Sequence, residues 1–176
     1  VRGFDMSLTR LKNRTIAKII IAFPSLGKRL VDAFEPWESE DIPWTAASTP
    51  LKDATVALVT TAGVHHRDQQ PFDMKDQNGD PSFRVIDSSR PNSDLMITHD
   101  YYDHSDADKD INIVFPLDRL REMADEGTIG RLAGHHYSFM GHIDGPHVSA
   151  LMSQTGPQVA KALEKEGVDI VLLTPG

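Results

Sequence analysis

The stretch Ala54-Thr-Val-Ala-Leu-Val-Thr60 carries the clearest structural signal in the sequence. It is a continuous apolar run rich in β-branched residues, and it breaks at Gly63. A parallel strand that is buried on both faces has this pattern. We therefore predict that residues 54–60 form the first strand of a mainly parallel sheet.

Further elements extend this sheet along the chain. Residues 83–87 and 95–98 carry shorter strand patterns on either side of a turn-prone segment. Residues 116–126 and 157–166 repeat apolar side chains at helical spacing and stop at a glycine, and a strand pattern follows at 168–173. Strands that alternate with helices predict an α/β fold, with a mainly parallel sheet flanked by helices in a Rossmann-like or flavodoxin-like arrangement, complete or incomplete.

The N-terminal part has a different pattern. Residues 7–34 repeat apolar side chains three and four positions apart, which predicts a helical arm, and residues 35–50 contain three prolines and no sustained apolar period. We divide the chain into an arm with its connector at 1–50 and an α/β domain at 51–176, which we expect to be the first part of a longer natural domain. The apolar side of the arm would pack on the α/β domain or on a second copy of the chain, and in the second case the protein would be a homo-oligomer.

Composition limits the classes of function. Hydrophobic residues make up 39% of the 176 residues and charged residues 25%, which fits a globular domain. The net charge of −8 disfavours nucleic acid and anionic lipid as partners. The strongest candidate for a membrane segment, residues 16–23, is broken by Lys18 and is far shorter than the ~20 residues that cross a bilayer, so we expect no membrane segment and a cytoplasmic location. The sequence contains no cysteine, which removes thiolate chemistry from these residues.

Candidate site residues follow the predicted strands. All eight histidines lie between His65 and His147. Imidazoles beside carboxylates can transfer protons, and a run that mixes apolar and polar residues can line a pocket. We expect three segments to converge at one edge of the sheet, namely 65–68, 98–110 and 135–142. Catalytic roles are predicted for His65, His99, Asp103, His104, His136 and Tyr137, and substrate contacts for His66, Asp68, Asp100, His135, Ser138 and Thr174.

Other readings of these segments stay open at this point. The first two segments also fit solvated loops whose Asp and Ser residues cap turns. A metal-dependent enzyme could use His99, Asp103 and His104 with His135 or His136, although the spacing matches no known zinc motif. No glycine-rich nucleotide motif follows a predicted strand, so we expect no nucleotide cofactor. A noncatalytic binding or assembly module that uses the N-terminal helices is the third alternative.

Several motifs, taken in order, resemble selenoprotein B of the glycine, sarcosine, betaine and D-proline reductase family. They are Val59-Thr-Thr-Ala-Gly-Val-His65, Thr98-His99, Asp103-His-Ser-Asp-Ala-Asp108, Phe115-Pro-Leu-Asp-Arg-Leu-Arg121, His136-Tyr-Ser-Phe-Met-Gly141 and Leu172-Leu-Thr-Pro-Gly176. The resemblance covers nearly the whole chain. It implies reductive cleavage of the α-carbon–nitrogen bond of glycine, sarcosine, betaine, D-proline or a related amine.

The resemblance also implies a nucleophile and partners. In that family a selenolate or thiolate attacks the α-carbon, the amine leaves, and the remaining group is passed on or reduced by partner proteins. The implied partners are a pyruvoyl-containing subunit and a carrier selenoprotein. The family's selenocysteine or cysteine is expected directly after Gly176, so we expect that the coding sequence continues through a selenocysteine codon. By itself this chain would then be an inactive substrate-pocket portion of the reductase subunit.

Overall fold

The computed structural model describes residues 45–176 and five separate positions before them, Thr15, Ile19, Phe23, Ser25 and Lys28. Apart from those five positions, the predicted helical arm lies outside the described residues, as does most of the predicted connector. No helix in the described part of the chain is long and apolar enough to cross a membrane.

Strand β1 (Thr55–Thr60) is the central strand of the main sheet and is almost completely buried. Along one side it pairs in parallel with β5 (Arg131–Leu132) and then with β6 (His135–Ser138). Along its other side it pairs in parallel with β7 (Ile170–Thr174). β3 (Arg84–Asp87) pairs antiparallel with β6 and forms the sheet edge opposite β7.

β5 and β6 are one strand interrupted by a bulge. Val56 pairs with Leu132 and Val59 pairs with Tyr137, so the two β1 residues between those pairs face the four residues 133–136. A bulge of this kind leaves backbone groups of the partner strand without their usual ladder partners. The amide of Leu58 instead donates a hydrogen bond to Nδ1 of His136, over 2.9 Å. A buried side chain thus completes the hydrogen bonding of the central strand.

Helices cover the two faces of the sheet. Helix α1 (Leu117–Asp125) packs Leu117 and Leu120 on one face, in a core cluster with Leu58 and Ile86. Helix α2 (Pro146–Ala150) continues through a π-helical segment, Leu151–Thr155, into helix α3 (Gly156–Lys165). Val159 and Leu163 of α3 pack on the other face, with Ala57 and Tyr137. Pro157, the second residue of α3, has no N–H, and in a straight α-helix its ring would clash with the carbonyl four residues earlier, that of Ser153 in the π segment.

A second, smaller sheet lies beside the first. β2 (Val64–His66) pairs antiparallel with β4 (Leu95–Ile97). Three short 3-10 turns complete the described elements, at Leu51–Asp53, Asn92–Asp94 and Ile111–Ile113. The antiparallel ladder of β2 and β4 sets the direction of the loop that follows each strand. It thereby carries the residues after Ile97 back to the end of β1, where the Thr98 amide donates to the Gly63 carbonyl over 2.9 Å.

The mixed α/β class and the parallel strands are confirmed. The strand predicted at 95–98 does form, but it belongs to the small antiparallel sheet and not to the main one. The segment 135–142, predicted to be an irregular pocket lining, begins with the buried strand β6. The Rossmann-like or flavodoxin-like arrangement stays a prediction, since the main sheet has four strand positions and β3 runs against the other three.

Candidate functional site

The carboxyl ends of three parallel strands meet at one edge of the main sheet. Thr61–Gly63 follow β1, Phe139–Gly141 follow β6 and Pro175–Gly176 follow β7, and the loop after β4 closes over them. The Gly63 amide donates to the Phe139 carbonyl over 2.9 Å, and the Thr61 amide donates to the Thr174 carbonyl over 3.0 Å. We call this set of chain segments the strand-end edge.

Glycine is required at the strand-end edge because backbones approach each other closely there. Gly63 and Gly141 have φ values of 71° and 82°, which side chains other than glycine rarely adopt. A Cβ atom on Gly141 would overlap the Thr61 carbonyl, and one on Gly176 would overlap the backbone of Ala62. These contacts make the edge a dense backbone surface, so that a residue next to Gly176 would begin beside the end of β1.

His99 connects two segments of the strand-end edge. The Tyr101 amide donates to its Nδ1 over 3.1 Å, so the ring proton lies on Nε2, which bonds the Met140 carbonyl. Burial, together with the nearby His104 and His142, lowers the pKa of His99 from its ordinary 6.5 to about 4. The imidazole is therefore neutral near pH 7 and holds the loop after β4 against the end of β6.

An aromatic cluster surrounds His99. Its ring lies 4.7 Å from the Tyr102 ring and 5.8 Å from the Tyr101 ring, centroid to centroid. Tyr101 stacks on His142 at 4.0 Å, and Tyr102 meets the His104 ring at 5.6 Å. The Tyr102 hydroxyl donates to the Ala62 carbonyl over 3.1 Å, and burial raises the pKa of that hydroxyl. The cluster therefore links His104 to Ala62, which follows β1 and packs against Gly176.

A polar groove of about 540 Å³ lies next to the aromatic cluster. This volume is within the range of small-molecule sites. Its floor is apolar, with Leu95, Ile97 and Ala107 buried beneath it. Its walls carry His104, Asp108, Lys109, Asp110, Asn112, Asp118 and Arg67. Nδ1 of His104 lies 2.8 Å from a carboxylate oxygen of Asp108, an arrangement that fixes the orientation of the imidazole.

His65 lies behind the strand-end edge. Its side chain is completely buried, its Nδ1 donates to the His66 carbonyl over 2.8 Å, and its Nε2 accepts from the Thr98 hydroxyl over 2.8 Å. Burial lowers the pKa of this histidine. Nε2 thus ties β2 to the residue that precedes His99, while Nδ1 bonds within β2.

His66 and His136 are also buried, on other parts of the sheet. Nε2 of His66 accepts from the Asp87 amide over 3.0 Å, and Nδ1 of His136 accepts from Leu58 as described above. Burial lowers the pKa of both rings, for His136 to about 4. The second nitrogen of each ring has no hydrogen-bond partner among the described residues. Neither ring is positioned to reach a ligand at the strand-end edge.

The other predicted site residues are scattered. His135 begins β6, at the strand end opposite Ser138, and its Nδ1 lies 3.3 Å from Glu166. Asp68 forms an exposed ion pair with Arg90 at 3.1 Å. The Thr174 hydroxyl donates to the Val114 carbonyl over 2.8 Å. Asp100 is buried beside His99, and the Asp103 carboxylate accepts a hydrogen bond from the Ser105 amide in a turn. Tyr137 and Ser138 lie in β6.

The predicted convergence is therefore correct in part. His65, the 98–104 loop and the end of β6 adjoin one another, whereas His135 lies at the far end of its strand and His136 faces the core. The residues proposed as metal ligands do not come together: no three His, Asp or Glu side chains in the described residues are placed to hold a metal ion. The individual catalytic and substrate-binding roles stay predictions.

Two features of the site carried only a weak sequence signal. Asp108 lies four residues after His104 in an acidic run, and nothing in that run distinguishes it from Asp106 or Asp110. The groove wall at Asn112 depends on the 3-10 turn at Ile111–Ile113, which the Asp110 carboxylate caps by accepting from the Asn112 amide over 3.0 Å. The Asp-x-Asn spacing of such a cap was the one available signal.

Sequence comparison gives the family. Residues 28–176 match the family described as glycine/sarcosine/betaine reductase selenoprotein B. D-proline reductase subunit gamma of Acetoanaerobium sticklandii is 46% identical over 133 residues, which are 76% of this chain and 53% of that protein. Glycine reductase complex component B subunit gamma of Carboxydothermus hydrogenoformans is 33% identical over 135 residues, which are 76% of this chain and 30% of that protein.

A third relative agrees with these two. Sarcosine reductase complex component B subunit beta of Peptoclostridium acidaminophilum is 30% identical over 137 residues, again 76% of this chain and 30% of the relative. No solved structure matches the chain. The chain thus spans about half the length of one relative and about a third of the others. It belongs to the glycine/sarcosine/betaine reductase selenoprotein B family.

Proposed function

We propose that this member of the selenoprotein B family forms the substrate-pocket portion of a selenol- or thiol-dependent reductase subunit. The reaction would cleave the α-carbon–nitrogen bond of glycine, sarcosine, betaine, D-proline or a related amine. The observation that carries the proposal is the strand-end edge, where Gly176 packs on Ala62 beside the aromatic cluster and the groove. A nucleophile next to Gly176 would face the carboxyl ends of parallel strands, where α/β proteins bind their ligands.

The proposed chemistry needs a nucleophile and a place for the leaving amine. A selenolate or thiolate next to Gly176 forms a bond to the α-carbon as the carbon–nitrogen bond breaks and the amine leaves with the electron pair. A thiol of a partner subunit would then attack the selenium or sulfur of the resulting adduct, so that a sulfur–selenium or disulfide bond forms while the carbon–selenium or carbon–sulfur bond breaks and the carbon takes up a proton. A second thiol would reduce the new bond and restore the nucleophile. Without that nucleophile, this chain would contribute binding and proton transfer, and would be inactive alone.

Among the predicted catalytic residues, His104 is the best placed for proton transfer. It lines the groove, contacts the aromatic cluster through Tyr102, and is paired with Asp108. In contrast, both ring nitrogens of His65 and His99 are already used in hydrogen bonds inside the protein. We propose that His104 exchanges a proton with the nucleophile or with the leaving amine.

The direct test extends the chain by the family's sequence after Gly176, with cysteine or selenocysteine at the expected position. With the pyruvoyl-containing subunit and a dithiol present, this form should release amine from one of the four substrates and lose that activity on alkylation. A matched form with serine at that position should be inactive. Equal activity of the serine form, or no amine release from any substrate, would refute the proposal. The codon that follows Gly176 in the gene gives an independent check.

A second measurement isolates His104. In the active extended form, His104→Gln should lower kcat and change the pH profile, while the rate of alkylation of the nucleophile by iodoacetamide stays within about twofold. Asp118→Asn is the matched control, because it changes a groove wall residue that is not paired with an imidazole. If both variants change kcat equally and neither shifts the pH profile, His104 has no role in proton transfer.

A further inference from the structure

Strand β7 has an uncovered apolar surface. Leu173 is 71% exposed, Leu172 is 40% exposed and Val171 is 38% exposed, although all three lie inside a parallel strand. Parallel strands are normally buried on both faces, and an exposed apolar strand at a sheet edge is a surface on which further chain can pair. On its outer side, β7 pairs with no strand in the described part of the protein.

The opposite edge of the same sheet is protected. Gln69 donates its side-chain amide to the Val85 carbonyl of β3 over 2.8 Å, and Arg84 donates to the carbonyls of Gln70 and Pro71. Side chains thus occupy the Val85 carbonyl and, through Nε2 of His66, the Asp87 amide of β3, while Arg84 holds the adjacent loop beside the strand. Edge strands that end a sheet usually carry such protection. The contrast within one sheet indicates that β7 is built to be covered by another element.

The register of β7 shows what kind of element would cover it. Val171 and Leu173 pair with Ala57 and Val59, whose side chains lie on the α3 face, whereas Leu172 pairs with Leu58 on the α1 face. Both faces and the free edge of β7 therefore need covering. One strand alone would cover only the edge, so the occupant must bring a parallel strand together with helices.

We propose that β7 is an interior strand of the assembled reductase subunit. A parallel strand would pair with its free edge and apolar helices would cover Leu172 and Leu173, all supplied by sequence that the longer relatives carry outside the matched region. The relatives have this sequence, because the matched residues make up only 53% and 30% of their lengths. A second copy is the weaker alternative, since two chains of net charge −8 repel each other. The proposal rests on family membership and not on the proposed reaction.

The test compares β7 in two contexts by hydrogen exchange. The first sample is the 176-residue chain, and the second is the same chain fused to the unmatched sequence of D-proline reductase subunit gamma. In the fusion, amide protection at residues 170–174 should rise roughly 10- to 100-fold, as expected when two large apolar side chains become buried. Protection that stays equal in the two samples would overturn the proposal.

Substitutions give a second readout that does not depend on activity. Leu173→Lys should leave the unfolding midpoint of the 176-residue chain nearly unchanged but should lower the stability constant of the fusion at least about tenfold. Met152→Lys is the control, because Met152 is 62% exposed and lies in the π segment, away from β7. A concentration-dependent dimer of the 176-residue chain that protects 170–174 would assign β7 to a second copy and also overturn the proposal.

Discussion

Acidification should destabilise the protein through His136, and the effect can be worked out from the bond to Leu58. Nδ1 of His136 accepts the Leu58 amide, so protonation of the ring would remove that acceptor and place a charge in the core. Burial lowers the pKa of His136 from 6.5 to about 4. In the unfolded chain, by contrast, the ring titrates near its ordinary value.

The sign of the effect follows from these two pKa values. Between about pH 6.5 and pH 4 the unfolded chain binds a proton that the native protein does not, so the free energy of unfolding falls as the pH falls. The contribution of His136 is fully present above pH 6.5 and is lost by about pH 4. It amounts to roughly 3 kcal/mol, with a slope of about 1.4 kcal/mol per pH unit within that window. His99, with a pKa of about 4, acts in the same direction.

His136→Asn separates the titration from the hydrogen bond. Asn carries its Oδ1 on Cγ, where His carries Nδ1, so it can still accept from Leu58 without titrating. We expect urea unfolding of His136→Asn, followed by circular dichroism, to show a slope between about pH 4.5 and 6 that is smaller by about 1.4 kcal/mol per pH unit. His136→Leu should lose the same slope and also about 1–3 kcal/mol at every pH, because the Leu58 amide is then unpaired. Identical slopes in the native protein and His136→Asn would refute this reasoning.

Three further changes test the strand-end edge. Gly141→Ala should destabilise the chain by more than about 1 kcal/mol, because of its positive φ and its contact with Thr61, and an unchanged urea midpoint would contradict this. Thr98→Val should cost about 1–3 kcal/mol by removing the donor to Nε2 of His65, whereas an unchanged free energy of unfolding would show that the bond is dispensable. Tyr102 should ionise above the ordinary tyrosine value of about 10, so Tyr102→Phe should remove the most basic phenolate transition from an ultraviolet titration.

Local sequence signals were sufficient to predict those helices and strands that depend mainly on residues close to one another in the sequence. The bounds of β1 and of the helices α1 and α3 were predicted to within one residue, because an apolar period, a buried run and a stop glycine are all local signals. Short motifs taken in order also gave the resemblance to selenoprotein B, and the family match over residues 28–176 confirms it.

The missed elements depend on partners distant in sequence. β6 contains a buried His136 and a buried Ser138, which read as loop residues until the Leu58 amide, 78 positions away, is seen to need an acceptor. The β2–β4 ladder is equally invisible in a window of sequence, because short strands gain their register only from the partner strand. The site prediction relied on histidines, and four of them are buried. Sequence shows which residues are polar, but it does not show which of them face the core.

The distribution of the histidines changes where the chemistry should be sought. His65, His66, His99 and His136 each accept or donate a hydrogen bond that holds backbone segments together, and burial lowers the pKa of all four. Neutral rings cannot provide the positive charge that would favour a selenolate. At the start of the first helix, the amides of Leu117 and Asp118 already donate to Phe115 and Asn112. Stabilisation of the proposed nucleophile would therefore come from groups other than these four histidines. His104, held by the Asp108 carboxylate, lines the groove, which is large enough for a small ligand.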